Sequence, residues 1–293
     1  MANGRPGVRT SATANHRAPT RGLRRGRPPA LNTHCALFLD IDGTLLDLAS
    51  TPDRVRVDAS IRALLPALAQ QLGGAVALIT GRRIADADRL FHGLALPVAG
   101  QHGLERRAAD GSIHLHEASM RGLERLRREL VRFAMRHPGL LLEDKGATLA
   151  LHYRRAPGLA AHVHRTLRMM LRTTAVSAEW RLQPGKRILE IKPDGRDKGT
   201  AILEYMAEPP FAGRLPVFVG DDLTDEYGFV AAAHLGGWAV KVGRGATRAR
   251  FRLRDVAAVR AWLAAVSPPP QPRLRKRTDS TAKTPGCAPS TSR

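Results

Sequence analysis

A short apolar run that stops abruptly on two acids constrains this chain most: Ala36-Leu37-Phe38-Leu39, then Asp40-Ile41-Asp42-Gly43-Thr44-Leu45. An apolar run of this length bounded by turn residues suits a strand buried on both faces, as in a parallel sheet. In open α/β sheets, ligands bind beyond the carboxyl ends of such strands, which is where Asp40 and Asp42 stand. Residues two apart in an extended segment point the same way. Two carboxylates at that spacing repel unless a cation or a proton lies between them. Taken alone, the stretch is also compatible with a solvated Asp-Gly turn.

The rest of the chain narrows the choice. Pro52 to Leu72 carries Ile61, Leu64, Leu65 and Leu68 at helical spacing, with Pro66 as a point of kinking. Ala75 to Ile79 reads as a second buried strand, ending in Thr80-Gly81-Arg82; a helix follows over Ile84 to Phe91. Leu96 to Gly100 reads as a third strand, ending in Gln101-His102-Gly103. This alternation predicts a parallel sheet with helices on both faces.

The pattern then changes to α-β-β-α-β-β with short turns. A hairpin at Asp110-Gly111 is followed by helices over Ser119–Arg136 and Leu159–Arg172. Strand pairs are expected at 140–143 with 148–153, and at 177–182 with 187–191, the latter turned at Gln183 to Lys186. The first pattern resumes with Lys198 opening a helix to Met206. A strand over Leu215–Gly220 runs into Asp221-Asp222-Leu223-Thr224-Asp225-Glu226, and a strand over 238–242 and a closing helix from Val256 to Val266 follow. The expected class is α/β: a doubly wound, Rossmann-like parallel-sheet core (35–103 and 194–266) with an inserted α+β cap (104–193).

Charge excludes little until its position is considered. The formal net charge is +21, but residues 1–34 hold seven Arg and no acid, and residues 267–293 hold six Lys or Arg against Asp279. These tails are too poor in apolar residues to order themselves. They admit a contact with phosphate backbones or anionic membranes. Aromatic residues make up only 4% of the chain, which argues against base stacking and a nucleic-acid partner. The N-terminal tail lacks the apolar segment of a secretory signal, though its Arg-rich, acid-free bias is shared with organelle transit peptides. No apolar run is long enough for a membrane span. Two cysteines, Cys35 and Cys287, make neither a disulfide framework nor a zinc site, so a reducing compartment is the default, and with no signal read the cytoplasm is the expected location.

With all strands parallel, Asp40, Asp42, Thr80, Asp221, Asp222 and Asp225 converge on one edge, and Lys198 starts a helix feeding it. A carboxylate cluster favours a hard cation, Mg²⁺ before Zn²⁺. A carboxylate nucleophile, a cation, a lysine and a hydroxyl together suggest phosphoryl transfer.

These motifs, in order Asp40-Ile41-Asp42-Gly43-Thr44, Thr80, Lys198 and Gly220 to Glu226, resemble those of the haloacid dehalogenase-like phosphohydrolases. The insert between Thr80 and Lys198 is similar to that superfamily's second cap type. The resemblance implies Asp40 as nucleophile and Asp42 as acid and base. It implies Mg²⁺ held by Asp40, the Asp42 carbonyl and Asp221, with Asp222 and Asp225 supporting, and Thr80 and Lys198 on the phosphate.

A finer resemblance, to the trehalose-6-phosphate phosphatases, rests on Gly100 to Arg106, on Gly220 to Glu226, and on three cap segments. These are Glu143 to Gly146, His152 to Arg154, and Gly185 to Ile191; Gln101 departs from the Glu usual in that family. It implies a sugar phosphate bound by Gln101, His102, Gly103, Glu105, Lys145, Arg154, Lys186 and Glu190. Other readings are a phosphatase of another sugar phosphate such as sucrose 6-phosphate, a binder of nucleic acid through the tails, and an inactive homologue. Intact Asp40, Asp42, Lys198 and Asp221 argue against the last.

Overall fold

The computed structural model describes residues 26–49, 54–116, 122–173 and 179–266. Residues 1–25 of the N-terminal tail and the whole C-terminal tail, 267–293, lie outside the described residues, as do the expected starts of three elements at Pro52, Ser119 and Ser177. Among the described residues, no helix is long and apolar enough to cross a membrane.

The core follows the alternation read from the sequence. Its elements begin with β1 (Cys35–Leu39), α1 (Ala59–Gln71), β2 (Val76–Ile79), α2 (Ile84–Leu90) and β3 (Val98–Gly100). After the cap come α5 (Lys198–Met206), β10 (Leu215–Gly220), α6 (Asp225–His234), β11 (Trp238–Val242), β12 (Phe251–Leu253) and α7 (Val256–Ala264). Six of these strands are parallel, in the order β12-β11-β10-β1-β2-β3. Central strands are buried on both faces, so each residue chooses a side by parity. Cys35, Leu37 and Leu39 pack with α1 and α7, while Ala36 and Phe38 pack with α5 and α6. Small alanines on the second face leave room for large rings, and Phe38 stacks on Phe211 at 5.4 Å.

Two core elements carry weak sequence signals. Helix α6 buries one face, but that face includes Asp225 and Gly228 while Tyr227 and Val230 are exposed, so apolar residues do not mark its inward side. It approaches β10 so closely that a Cβ on Gly228 would sit 2.3 Å from the Phe218 ring. Strand β12 is only three residues long. Helix α1 begins at Ala59, where the Asp58 side chain accepts from the Ile61 N–H at 3.0 Å, and it tolerates Pro66 inside.

The hairpin expected at the start of the cap belongs instead to the core sheet. Strands β4 (Glu105–Arg107) and β5 (Ile113–Leu115) extend it antiparallel beyond β3, with Gly100 opposite Glu105. A tight turn at Gln101–Gly103 reverses the chain directly onto β3, with Gln101, His102 and Gly103 all at positive φ. Arg106 then anchors the hairpin to α5, bonding Glu208 and covering the Tyr205 ring at 5.0 Å. Alternation along a short strand does not say which sheet it joins.

The cap is a separate four-stranded antiparallel sheet, β6-β7-β9-β8, formed by β6 (Leu141–Asp144), β7 (Leu149–His152), β8 (Trp180–Gly185) and β9 (Ile188–Pro193). Helices α3 (Leu123–Met135) and α4 (Ala160–Thr173) bury Leu126, Leu130, Val163 and Leu167 with the apolar side chains of these strands. The last hairpin turns later than expected. Gly185 pairs with Ile188, leaving the two-residue turn Lys186-Arg187, with Arg187 at φ +65°. Pro184 is tolerated because β8 is an edge strand.

Candidate active site

The floor of the site is built where β1, β2, β10 and α5 meet. Asp40 follows β1 and is buried. Lys198, the first residue of α5, donates from Nζ to Asp40 Oδ1 at 2.6 Å and to Asp225 Oδ1 at 2.7 Å. Asp225 is fully buried, and its Oδ2 accepts from the N–H groups of Asp221 and Asp222, each at 2.8 Å. Lys241 Nζ holds the Asp221 carbonyl at 2.5 Å. Glycine is required where the two loops meet: Gly43 has φ +87°, and a Cβ there would lie 2.2 Å from Asp221 Oδ2.

Charge in this floor is unbalanced. Burial raises Asp40 well above the usual carboxylate range; Lys198 opposes this, while Asp225 and Asp221 add to it. Burial and the Asp225 carboxylate push Asp221 up to about 6. Burial would lower the Lys198 ammonium, but Asp225 and Asp40 more than offset it and raise it. Asp40, Asp221 and Asp225 each present an oxygen, all within 4.8 Å of one another and all buried. A buried all-oxygen donor set of three carboxylates fits a hard divalent cation.

Asp42 faces the other way. Its carboxylate is held through both oxygens by Arg82, at 2.7 Å from Nε and 2.6 Å from Nη2. Thr80 is buried, its Oγ1 accepting from the Arg82 N–H at 3.1 Å.

The cap roofs this floor, leaving a cleft open to solvent between them. Glu190 on β9 is buried and accepts from Thr148 Oγ1 at 2.7 Å, and Lys145 Nζ reaches it at 3.3 Å. His102 of the core bonds Glu190 Oε2 through Nε2 at 2.9 Å. Lys145 also donates to the Gly81 carbonyl of the core at 2.7 Å. Burial drives His102 down to about 4 against the pull of Glu190, so the ring is neutral at pH 7. Burial opposes the charge of Glu190 too, but Lys145 and His102 hold its carboxyl well below the usual range. Lys186 bonds Asp221 through Nζ, and its backbone N–H donates to Asp222 Oδ2 at 3.2 Å. Arg154 donates to the Ala49 carbonyl at 2.7 Å.

Asp40, Asp42, Thr80, Lys198, Asp221 and Asp222 all line the cleft, as do His102, Lys145, Arg154, Lys186 and Glu190. Gln101, Gly103 and Glu105 are not among its lining residues. Gln101 Nε2 bonds Glu105 Oε1 at 3.3 Å, and that oxygen also accepts from the Ile84 N–H at the start of α2 at 2.8 Å. These residues shape the turn that presents His102. Sequence reasoning missed Arg82, Glu143, His152 and Gln183, which also line the cleft. Arg82 had a signal, since it follows Thr80-Gly81 at the end of β2. Glu143 and His152, joined at 2.7 Å, are diagonal neighbours across β6 and β7, which needs the register to be seen.

The trehalose-phosphatase family model matches residues 38–256. The chain is 43% identical to the trehalose-6-phosphate phosphatase of Escherichia coli over 238 residues, covering 80% of this chain and 87% of that protein. It is 46% identical to a probable trehalose-phosphate phosphatase of Sinorhizobium fredii over 208 residues, covering 71% and 77% of the two chains. Among solved structures, a trehalose-6-phosphate phosphatase related protein superposes with a TM-score of 0.67 at 25% identity, covering 79% of this chain and 96% of that one. The C-terminal domain of the Candida albicans trehalose-6-phosphate phosphatase shares the fold, with a TM-score of 0.72 at 21% identity over 82% and 97% of the two chains. Motif order, the convergence of their acids on one floor and these matches agree: the chain belongs to the trehalose-phosphatase family.

Proposed function

We propose that the protein hydrolyses trehalose 6-phosphate to trehalose and phosphate through a phosphoryl group carried on Asp40. The observation that carries this reading is Lys198 bridging Asp40 and Asp225 beneath a polar cap. Asp40, Asp221 and the Asp42 carbonyl would hold a divalent cation, Mg²⁺ by its preference for hard oxygen, with Asp225 and Asp222 orienting them. Bound there, the cation supplies positive charge that lets an anionic carboxylate approach an anionic phosphate.

The chain's own groups do the rest. A carboxylate oxygen of Asp40 attacks phosphorus, and the bond from phosphorus to the sugar oxygen breaks. Asp42, released from Arg82 as substrate binds and protonated from solvent, gives that proton to the leaving alkoxide. It then takes a proton from water, whose oxygen attacks phosphorus and frees Asp40. Thr80 and Lys198 hold the phosphate oxygens as charge redistributes. Glu190, Lys145, His102, Arg154 and Lys186 supply donors and acceptors for the sugar hydroxyls and shield the site from water.

The test is phosphate release from trehalose 6-phosphate, sucrose 6-phosphate, glucose 6-phosphate and p-nitrophenyl phosphate, with Mg²⁺ and with EDTA. Trehalose 6-phosphate is expected to be strongly preferred, with turnover lost in EDTA and reduced about 10⁴-fold or more in Asp40→Asn. Preference for sucrose 6-phosphate would keep the chemistry and replace the substrate. Full turnover in Asp40→Asn would overturn the mechanism.

A further inference from the structure

Two residues beyond Glu190 on β9, a second buried charge takes no part in this reaction. Lys192 is wholly buried. Burial, reinforced by the nearby Arg181 guanidinium, pushes its ammonium down to about 8. Its Nζ donates to the backbone carbonyl of Arg196. Arg181, its register partner on β8, donates from Nη2 to the same carbonyl at 2.8 Å. Arg181 also reaches Asp194 Oδ1 at 3.3 Å. One carbonyl in the connection from cap to core therefore receives two cationic donors from the cap sheet.

That carbonyl lies two residues before Lys198. The intervening Asp197 caps α5, its Oδ1 accepting from the N–H groups of Gly199 at 2.8 Å and Thr200 at 3.0 Å. Thr200 Oγ1 accepts in return from the Asp197 N–H at 3.0 Å. The start of α5 is also packed tightly on α6: a Cβ on Gly199 would lie 2.7 Å from the Tyr227 carbonyl oxygen. The Tyr227 ring in turn lies 5.4 Å from the Arg181 guanidinium. Burying an ammonium is costly, and an apolar side chain of similar length would fill the same space without that cost. What the charge provides here is the bond to the Arg196 carbonyl.

We propose that Lys192 is a positioning residue: with Arg181 it clamps the Arg196 carbonyl, fixes the start of α5 and so sets Lys198 on Asp40. The inference rests on the role given to Lys198 under Proposed function. It makes placement of the catalytic lysine depend on a cap side chain that touches no substrate.

The test uses the full chain and four variants: Lys192→Met, Lys192→Arg, Arg181→Leu and, as reference, Lys198→Met. Turnover of trehalose 6-phosphate and p-nitrophenyl phosphate is measured well below the melting temperature. Hydrogen exchange is followed over 197–203. Lys192→Met is expected to lower kcat on both substrates by about 10- to 100-fold with little change in KM, and to speed exchange at Gly199 and Thr200. Lys192→Arg should recover most of the loss, because a guanidinium can still donate to the carbonyl. Arg181→Leu should move both readouts the same way by less, and it serves if Lys192→Met does not fold. A Lys192→Met enzyme with parental kcat and parental exchange overturns the proposal, even if it melts earlier. Full activity in Lys198→Met would instead overturn the reading of the site, and exchange would then judge the clamp alone.

Discussion

The floor and the roof of the cleft are held in place by different means. In the floor, buried charges hold one another: Asp225 is pinned by two N–H groups and one ammonium, and Lys198 is pinned by two carboxylates. In the roof, long side chains reach across to core carbonyls, Lys145 to Gly81 and Arg154 to Ala49. The floor is therefore pre-organised by a buried charge network whose members cannot be exchanged singly. The roof meets the core through a few separable contacts. Bond-making demands fixed geometry, whereas sugar recognition can be distributed over several adjustable groups.

The largest expected effect lies in the floor. Asp225→Ala removes the acceptor for two backbone N–H groups and one partner of Lys198. It should cost about 3–5 kcal/mol of stability in urea titration and abolish turnover of every phosphate ester. A loss below about 1 kcal/mol would mean the floor is not held by this network.

A smaller and more selective effect is expected in the roof. Lys145→Met removes the bonds to Gly81 and Glu190. KM for trehalose 6-phosphate should rise about 10- to 100-fold, the equivalent of about 1.5–3 kcal/mol. A small aryl phosphate, which makes no sugar contacts, should show a much smaller change. Equal losses on both substrates would dissolve the distinction between floor and roof.

The smallest effect is expected at the junction, where His102 meets Glu190. His102 titrates near 6.5 when unfolded but at about 4 in the folded protein. Between these values the unfolded chain binds more protons, so stability rises with pH and is lost as pH falls from 6.5 toward 4. Glu190, depressed in the fold, loses its contribution in the same direction but at lower pH. Urea midpoints should fall by the equivalent of about 1–2 kcal/mol between pH 6.5 and pH 5, and His102→Gln should flatten that slope. An unchanged slope in the variant would remove His102 as its source.

The core was legible because its signals are local. Apolar runs ending in Asp40, Thr80 and Asp221 announce strands buried on both faces, and strand ends in a parallel sheet share one edge. Helix α6 is hard to read because its buried face includes Asp225 and Gly228 while Tyr227 and Val230 are exposed, so no apolar stripe marks the inward side. The hairpin β4–β5 was assigned to the cap because a three-residue strand does not declare its partner; hydrogen bonds to β3 decide that. Gln101, Gly103 and Glu105 carry motif resemblance yet do not line the cleft; they form and brace the turn from which His102 reaches it.

From its sequence alone this chain could be read as an α/β core carrying four phosphoryl-transfer motifs, with an inserted cap and two basic tails. The core and insert follow from residue spacing over a few positions, which short-range physics reads directly; the four motifs are legible through their resemblance to a known family. Only the tertiary structure decided that Arg82 holds Asp42, that Lys145 and Glu190 meet Gly81 and His102, and that Lys192 grips the connection into α5. These are contacts between segments far apart in the chain, or side chains whose direction depends on strand register. Neither is set until the sheets have formed.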